Sequence, residues 1–425
     1  MRFLYNIGLC SYVFLVRIVS MFNPKAKLFY NGRKGLLQRI KREISHKDPI
    51  IWFHCSSVGE FEQARPIIEW YKKEKPKYKI LLTFFSPSGY ELRKNYELAD
   101  WIYYMPVDTQ KNARVFVQTV KPVKAIFIKY EFWYNYLAEL SNSGSQIYIV
   151  SAIFRPTQMF FKWYGFFFRR MLKCYTKIFV QDNQSRDLLS SIGIQNNVLI
   201  CGDTRFDRVY QITHSSKEFP LIKKFSENHF TIVAGSTWEP DEAILAAVIK
   251  NFSSVKLVIA PHEIHKARID ELEKTFVDMK VLRFSSFDKK FTNDKYSSTD
   301  ILAHLDSALL ESNVVIIDCL GILSSIYRYG QLAYIGGGFG VGIHNILEAA
   351  TYSIPVVFGP NYQKFKEAKD LIELGGAISI SDKSYFYDIL DKYVSNRDVC
   401  TQKGSICGGY VKQNLGATQK VISNL

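Results

Sequence analysis

Three short segments carry charged side chains in patterns that could do chemistry. HCSSVGE ends on Glu60, KYEFWYN contains Glu131 and GDTRFD contains Arg205. Two carboxylates and an arginine brought together suit a group transfer. A carboxylate takes the proton of an attacking hydroxyl, and an arginine holds developing negative charge. Each also has a plainer reading, since a carboxylate favours a helix N-terminus. A fourth segment, YIGGGFGVGIHNILEAATYSIPVVFGPNYQKF, has almost no side chains between Gly336 and Gly342. A strand, a glycine loop, a helix and a second strand form a βαβ unit whose amides can approach an anion. The loop, Gly337 and Gly338 included, lacks the Gly-Lys-Ser/Thr ending of a P-loop and never satisfies G-x-G-x-x-G. In the NILE run that follows, Asn345 and Glu348 fit a capping box. They fit equally well a carboxylate accepting hydrogen bonds from the sugar hydroxyls of a nucleotide.

These residues must be positioned by strands. Apolar runs at Ile50–His54, Lys79–Phe85, Ile102–Met105, Ala125–Lys129, Gln146–Val150, Lys177–Val180 and Val198–Cys201 alternate with helical or polar stretches. Lacking strict alternation, they predict strands buried on both faces, hence a parallel α/β sheet. A polar stretch from Val209 to Asn228 is read as an interdomain linker. A second series follows at Thr231–Ala234, Lys256–Ala260, Val314–Ile317, Leu332–Ile335, Pro355–Phe358 and Ala377–Ile380. Two successive Rossmann-like halves predict a cleft between them, with ligands at the carboxyl ends of the strands. Glu60, Glu131 and Arg205 all fall just after strands. So do Gly235, Ser236 and Thr237, and the segment IAPHEIHKARID with His262, Glu263, His265 and Arg268. His262 and His265 are not the i, i+4 pair of a zinc-protease helix, so a polar loop touching a nucleotide is the better functional reading. No Asp-x-Asp occurs, so nothing suggests a carboxylate pair holding a divalent metal.

Composition bounds the partners. A chain of 425 residues suggests two domains, and its hydrophobic content of 47% suffices for two cores. The net charge of +15 calls for an anionic partner. No RNA-binding signature, zinc-finger spacing or extended Lys/Arg block occurs, so nucleic acid is disfavoured. Seven scattered cysteines without C-x-x-C suit a reducing compartment and argue against a disulfide framework. Phe3–Phe22 is largely apolar, with Lys25, Lys27, Arg33 and Lys34 behind it. An uncleaved anchor or interfacial helix at residues 1–22, with the body on the cytoplasmic side, is preferred over a signal peptide or a buried helix. Met159 to Tyr175 interleaves aromatic and basic residues, with more rings than one helix face can hide; core and membrane-facing readings balance.

Taken together, HCSSVGEFEQARP, KYEFWYN, GDTRFD, GSTWEPDE, APHE and GGGFGVGIHNILEAATYSIPVVFGPNYQKFKEA resemble the 3-deoxy-D-manno-octulosonic acid (Kdo) transferases of lipid A and lipopolysaccharide assembly. The likeness runs from the N-terminal apolar segment to at least Ala368. It implies a glycosyltransferase-B fold: two Rossmann-like doubly wound α/β domains facing a cleft, behind a membrane-associated helix. The domains divide as residues 23–210, carrying the base and the acceptor site, and 211–425, binding the donor. The resemblance further implies CMP-Kdo as donor, a tetra-acylated lipid A precursor as acceptor, inversion at the anomeric centre, no metal or other cofactor at the active site, and residence on the inner membrane. By position, Glu60 matches the family's catalytic base and Glu131 a second carboxylate assisting the transition state. Arg205 stands where many members have lysine. For CMP the matching positions are Pro261 and His262, then Leu320, Gly321 and Ile322, then Asn345, Ile346, Leu347 and Glu348. His262 replaces a common arginine and Ile322 a common acidic residue. Two alternatives remain: a glycosyltransferase-B enzyme with another nucleotide-sugar donor, and a non-catalytic membrane-bound lipid or nucleotide sensor.

Overall fold

The computed structural model describes residues 2–44, 48–215, 217–286 and 311–425. It divides into two compact units, Met1–Arg208 with Asn414–Leu425, and Val209–Gln413.

Unit 1 is built on a seven-stranded sheet in the order β3-β2-β1-β4-β5-β6-β7. The strands are β1 (Ile50–Cys55), β2 (Lys79–Phe84), β3 (Trp101–Tyr104), β4 (Lys124–Ile128), β5 (Gln146–Ala152), β6 (Lys177–Val180) and β7 (Val198–Ile200). All pairings are parallel. Every β1 residue is buried, as a strand covered by helices on both faces requires. One apolar cluster around Trp52, Phe116, Phe127 and Tyr136 fills one side of the sheet; Phe53, Phe61, Ile67 and Val421 belong to the cluster on the other. Each such side chain, fully buried, contributes about 1.5–3 kcal/mol. The order reverses direction between β1 and β4, which pair directly, so the loops after these two strands flank the switch point where open α/β sheets hold ligands.

Unit 2 repeats the plan with the order β10-β11-β9-β8-β12-β13-β14. Its strands are β8 (Phe230–Thr237), β9 (Val255–Pro261), β10 (Val281–Arg283), β11 (Val314–Ile316), β12 (Leu332–Ile335), β13 (Val356–Phe358) and β14 (Ala377–Ser379). Its reversal lies between β8 and β12. The expected strands are present in both units. The unexpected one is β10, three residues ending on an arginine, which has no apolar run to mark it.

Two expectations differ from the structure. The stretch read as a linker, whose Ser216 lies outside the described residues, holds the helices Thr204–Ser215 and Pro220–Ser226. Val209, Ile222 and Phe225 are buried, so polar spacing hid amphipathic helices. The last residues do not stay with unit 2. Helix Ala417–Ile422 packs on the long helix after β1, and Asp207 takes the amides of Gly416 and Thr418 at 2.7 and 2.6 Å.

Helix Arg2–Val19 has the length and composition of a membrane span and no buried residue. It nonetheless touches the body of unit 1 along its length. The Tyr5 hydroxyl donates to Asp108 Oδ2 at 2.6 Å, Asn135 Nδ2 donates to Asn6 Oδ1 at 2.9 Å, and Tyr12 packs edge-on against Phe29. A hollow of about 650 Å³ beneath it is lined by Phe14, Phe29, Arg17, Arg33 and Lys34 among others. The aromatic segment splits between the two readings. Phe160 and Phe167 are buried, whereas Trp163 is 92% and Phe166 64% exposed.

Candidate active site

Glu60 is placed by the helix Val58–Glu74 that follows β1. Ser57 caps this helix, its hydroxyl accepting from the Glu60 amide at 3.4 Å, while Glu60 Oε2 accepts from the Ser57 amide at 3.0 Å. A reciprocal cap of this kind stabilises a helix start by roughly 1 kcal/mol. The carboxylate is nevertheless buried, and burial, followed by the nearby charge of Glu131, pushes its pKa up to about 7. Amides of Ser57 and Ser56 and the Lys129 ammonium oppose that rise.

Glu131 follows β4, across the switch point from Glu60. Its Oε2 takes the Trp133 indole N–H, its backbone carbonyl takes the Tyr175 hydroxyl at 2.6 Å, and His54 Nε2 lies 3.0 Å from Oε2. Lys129, just before it, is held at φ 69°, a left-handed conformation that a lysine adopts only under constraint from its surroundings. Arg205 is gripped by Asp203, from Nε at 2.9 Å and from the guanidinium terminus at 2.8 Å. Gln63, one turn along the helix of Glu60, donates to the same carboxylate at 2.9 Å. Burial raises the Asp203 pKa, but Arg205 and Gln63 outweigh it and the net displacement is downward. Asp203 therefore ties the arginine to the helix of Glu60. The sequence reading passed over His54, Lys129 and Asp203. His54 stands inside an apolar strand, and only its departure from that run marked it.

In unit 2 the glycine loop is first a device for close backbone approach. A Cβ at Gly336 would meet Ser236 O at 2.3 Å, and one at Gly338 would meet Gly359 N at 2.5 Å. Gly337 has φ +89° and donates its amide to Asp241 Oδ2 at 2.9 Å, so that N–H is already engaged. Asp241 also receives the Trp238 amide and the Tyr334 hydroxyl, each at 3.0 Å. The next helix is short, Leu347–Ala350, with Ile346 at its cap position. Asn345 Oδ1 accepts from the Leu347 amide at 3.2 Å and Asn345 Nδ2 donates to Glu348 Oε1 at 2.9 Å, so the reciprocal backbone bond of a capping box is replaced by a side-chain pair.

Pro261 ends β9 and the exposed His262 follows it, its ring stacked on both Trp238 and His344 with centroids 4.7 and 4.5 Å away. Burial, then the neighbouring His262, lowers the His344 pKa to about 4. His265 is a helix cap, its Nδ1 accepting from the Arg268 amide at 3.2 Å. Among the described residues no three His, Cys, Asp or Glu side chains gather as metal ligands. Leu320 is 72% exposed, Gly321 takes φ +87° with open space around it, and Ile322 begins a one-turn helix. The loops after β8, β9 and β12 thus meet at the strand ends of unit 2.

Comparison with known proteins bears on the fold and on the class of enzyme. The family model described as 3-deoxy-D-manno-octulosonic-acid transferase matches residues 31–208. The 3-deoxy-D-manno-octulosonic acid transferase of Aquifex aeolicus (strain VF5) is 28% identical over 344 residues, 79% of this chain and 83% of that one. The enzyme of the same name from Chlamydia trachomatis serovar A is 24% identical over 414 residues, 93% of this chain and 90% of that one. The UDP-GlcNAc 2-epimerase of Neisseria meningitidis superposes with a TM-score of 0.56 at 12% identity, covering 88% of this chain and 98% of that one, a likeness of fold alone. With its two Rossmann-like parallel sheets of glycosyltransferase-B type, the chain is a glycosyltransferase that is similar over most of its length to Kdo transferases.

Proposed function

We propose that the protein moves Kdo from CMP-Kdo to a tetra-acylated lipid A precursor, releasing CMP and inverting the anomeric centre. The observation that carries the reading is the Glu60 carboxyl, held near neutrality by burial and by Glu131 beside the switch point of unit 1. A base with a pKa near the working pH takes a proton most effectively. Ionised Glu60 removes the proton of an acceptor sugar hydroxyl as that oxygen bonds to the anomeric carbon of Kdo. The bond from that carbon to the CMP phosphate oxygen breaks, and CMP leaves with its electron pair. Positive character builds on the sugar, and the Glu131 carboxylate stabilises it. Arg205, aimed by Asp203, offsets negative charge on the Kdo carboxylate or the departing phosphate.

Unit 2 recognises the nucleotide through Pro261, His262, Leu320, Gly321, Ile322 and the Asn345–Glu348 run. Gly337 and Gly338 shape that site by letting loops approach, the role their backbone contacts support. The acceptor stays on the cytoplasmic leaflet of the inner membrane. Helix Arg2–Val19 serves that surface as an anchor or interfacial helix, a role supported by its exposed apolar residues beside the contacts at Tyr5 and Tyr12. Trp163 and Phe166 enter the same interface.

Mass spectrometry of the lipid A precursor incubated with detergent-solubilised protein and CMP-Kdo, wild type beside Glu60→Gln, tests the reaction. Added Kdo masses with wild type alone support donor, acceptor and base together. Transfer from a UDP-sugar instead overturns the donor, and nucleotide binding without turnover overturns the enzyme reading in favour of a sensor. Trp163 fluorescence quenched by brominated lipids in anionic vesicles is the outcome expected for the membrane surface.

A further inference from the structure

A buried string of side chains runs through the sheet of unit 1 to Glu131. The Trp52 indole donates to Thr83 Oγ1 at 2.8 Å, and Thr83 Oγ1 lies 2.8 Å from His54 Nδ1. His54 and Thr83 are register partners on β1 and β2, with Trp52 two residues earlier on the same face. At its other nitrogen, the fully buried His54 approaches Glu131 Oε2 at 3.0 Å, bent away from a straight hydrogen bond.

The hydrogen bonds fix where the imidazole proton sits. Thr83 has one hydroxyl hydrogen, and its oxygen already accepts from Trp52. That hydrogen can go to the Phe53 carbonyl at 3.5 Å or to His54 Nδ1 at 2.8 Å. The shorter contact wins, which makes Nδ1 the acceptor and leaves the ring proton on Nε2, facing Glu131.

We propose that His54 is a positioning residue for the transfer reaction: Thr83 and Trp52 set its Nε2–H, which keeps the Glu131 carboxylate aimed as substrate fills the site. The inference rests on the reading above for the identity of that reaction. A contact that is bent without ligand and straightens with it is usual for catalytic hydrogen bonds. Tyr175 already fixes the Glu131 backbone and Trp133 occupies one side of its carboxylate, so rotation of that carboxylate is the freedom left for His54 to remove. A ring with no polar task at this place would be better replaced by an apolar one.

The consequence reaches Glu60. After burial, the charge of Glu131 is the larger of the causes that raise Glu60 to about 7, with Lys129 pulling the other way. Cys55, Tyr130 and Tyr175 are the further titratable groups close to these two carboxylates. His54→Asn keeps a partner for Thr83 but leaves Glu131 short of a donor, so its carboxylate turns from the place at which its charge presses on Glu60.

Infrared titration of the carboxyl stretch in the full-length protein reads this directly, the Glu60 band being the one lost in Glu60→Gln. In His54→Asn the Glu60 midpoint is expected to fall by about one unit, as it does in Glu131→Gln, with no further fall in the double variant. His54→Gln, which returns an N–H near the Nε2 position, restores most of the shift. A folded His54→Asn with an unmoved midpoint, or shifts that add in the double variant, overturns the proposal. Thr83→Val carries the same test with a smaller downward shift should His54→Asn fail to fold. The measurement needs no turnover: absence of Kdo transfer by wild type would sink the reaction and leave this coupling to be judged on its own. Where transfer is present, kcat falls in His54→Asn while KM is kept.

Discussion

In unit 1 one carboxyl beside the switch point, Glu60, is raised to about 7 and held through backbone amides, whereas in unit 2 Asp241 and Glu242 are locked into the scaffold. Glu60 has backbone amides for partners and is raised to about 7, and Glu131 faces it. In unit 2, Asp241 closes the glycine loop through Gly337, Trp238 and Tyr334, while Glu242 is bound by Arg268 and by the Thr237 hydroxyl at 3.0 Å. What unit 2 leaves open at its strand ends is a stack of rings and a glycine backbone. The same sheet plan therefore supports two kinds of site. One is prepared for proton movement, the other for shape and stacking, and the fold alone does not say which is which.

The contrast breaks most sharply at Glu60. Glu60→Gln should lower kcat by roughly 10²–10⁴-fold while CMP affinity, read by calorimetry, stays at the wild-type value. Equal losses in both would mean that Glu60 serves binding. In the wild type, kcat should rise with pH through the region of about 7 as Glu60 loses its proton. Stability runs the other way. A carboxyl raised in the folded state contributes below its ordinary range and loses that contribution as pH rises through the folded value. Glu60→Gln should therefore melt above wild type at pH 8 and level with it at pH 4.

Gly336→Ala should destabilise unit 2 by on the order of 3 kcal/mol and abolish CMP binding, since its Cβ meets backbone rather than a side chain. Spectroscopic signals from unit 1 should survive; loss of both units together would erase the distinction drawn here. His265→Ala is the mildest change. It removes a helix cap and should cost about 1 kcal/mol, with activity indifferent to chelators before and after.

Much of this organisation is legible in sequence because parallel strands buried on both faces leave long apolar runs, and Glu60, Glu131 and Arg205 fall just behind them. Strand β10 escapes because three residues carry no period. His54 and Thr83 escape for a related reason: inside a buried strand a polar residue has no spacing rule, and its meaning lies in the neighbour across the ladder. The glycine run announces a close backbone approach, but it cannot reveal that Asp241, nearly a hundred positions earlier, already takes the first free amide. The polar composition of residues 209–228 conceals helices for the opposite reason, their apolar residues being few and well spaced.

The return of Asn414–Leu425 to unit 1 bears on how the protein is made. Val421 is fully buried in the unit 1 cluster that also holds Phe61 and Ile67. A nascent chain emerging in order exposes the surface meant for Val421 throughout synthesis of unit 2, and covers it only when the segment Asn414–Leu425 arrives.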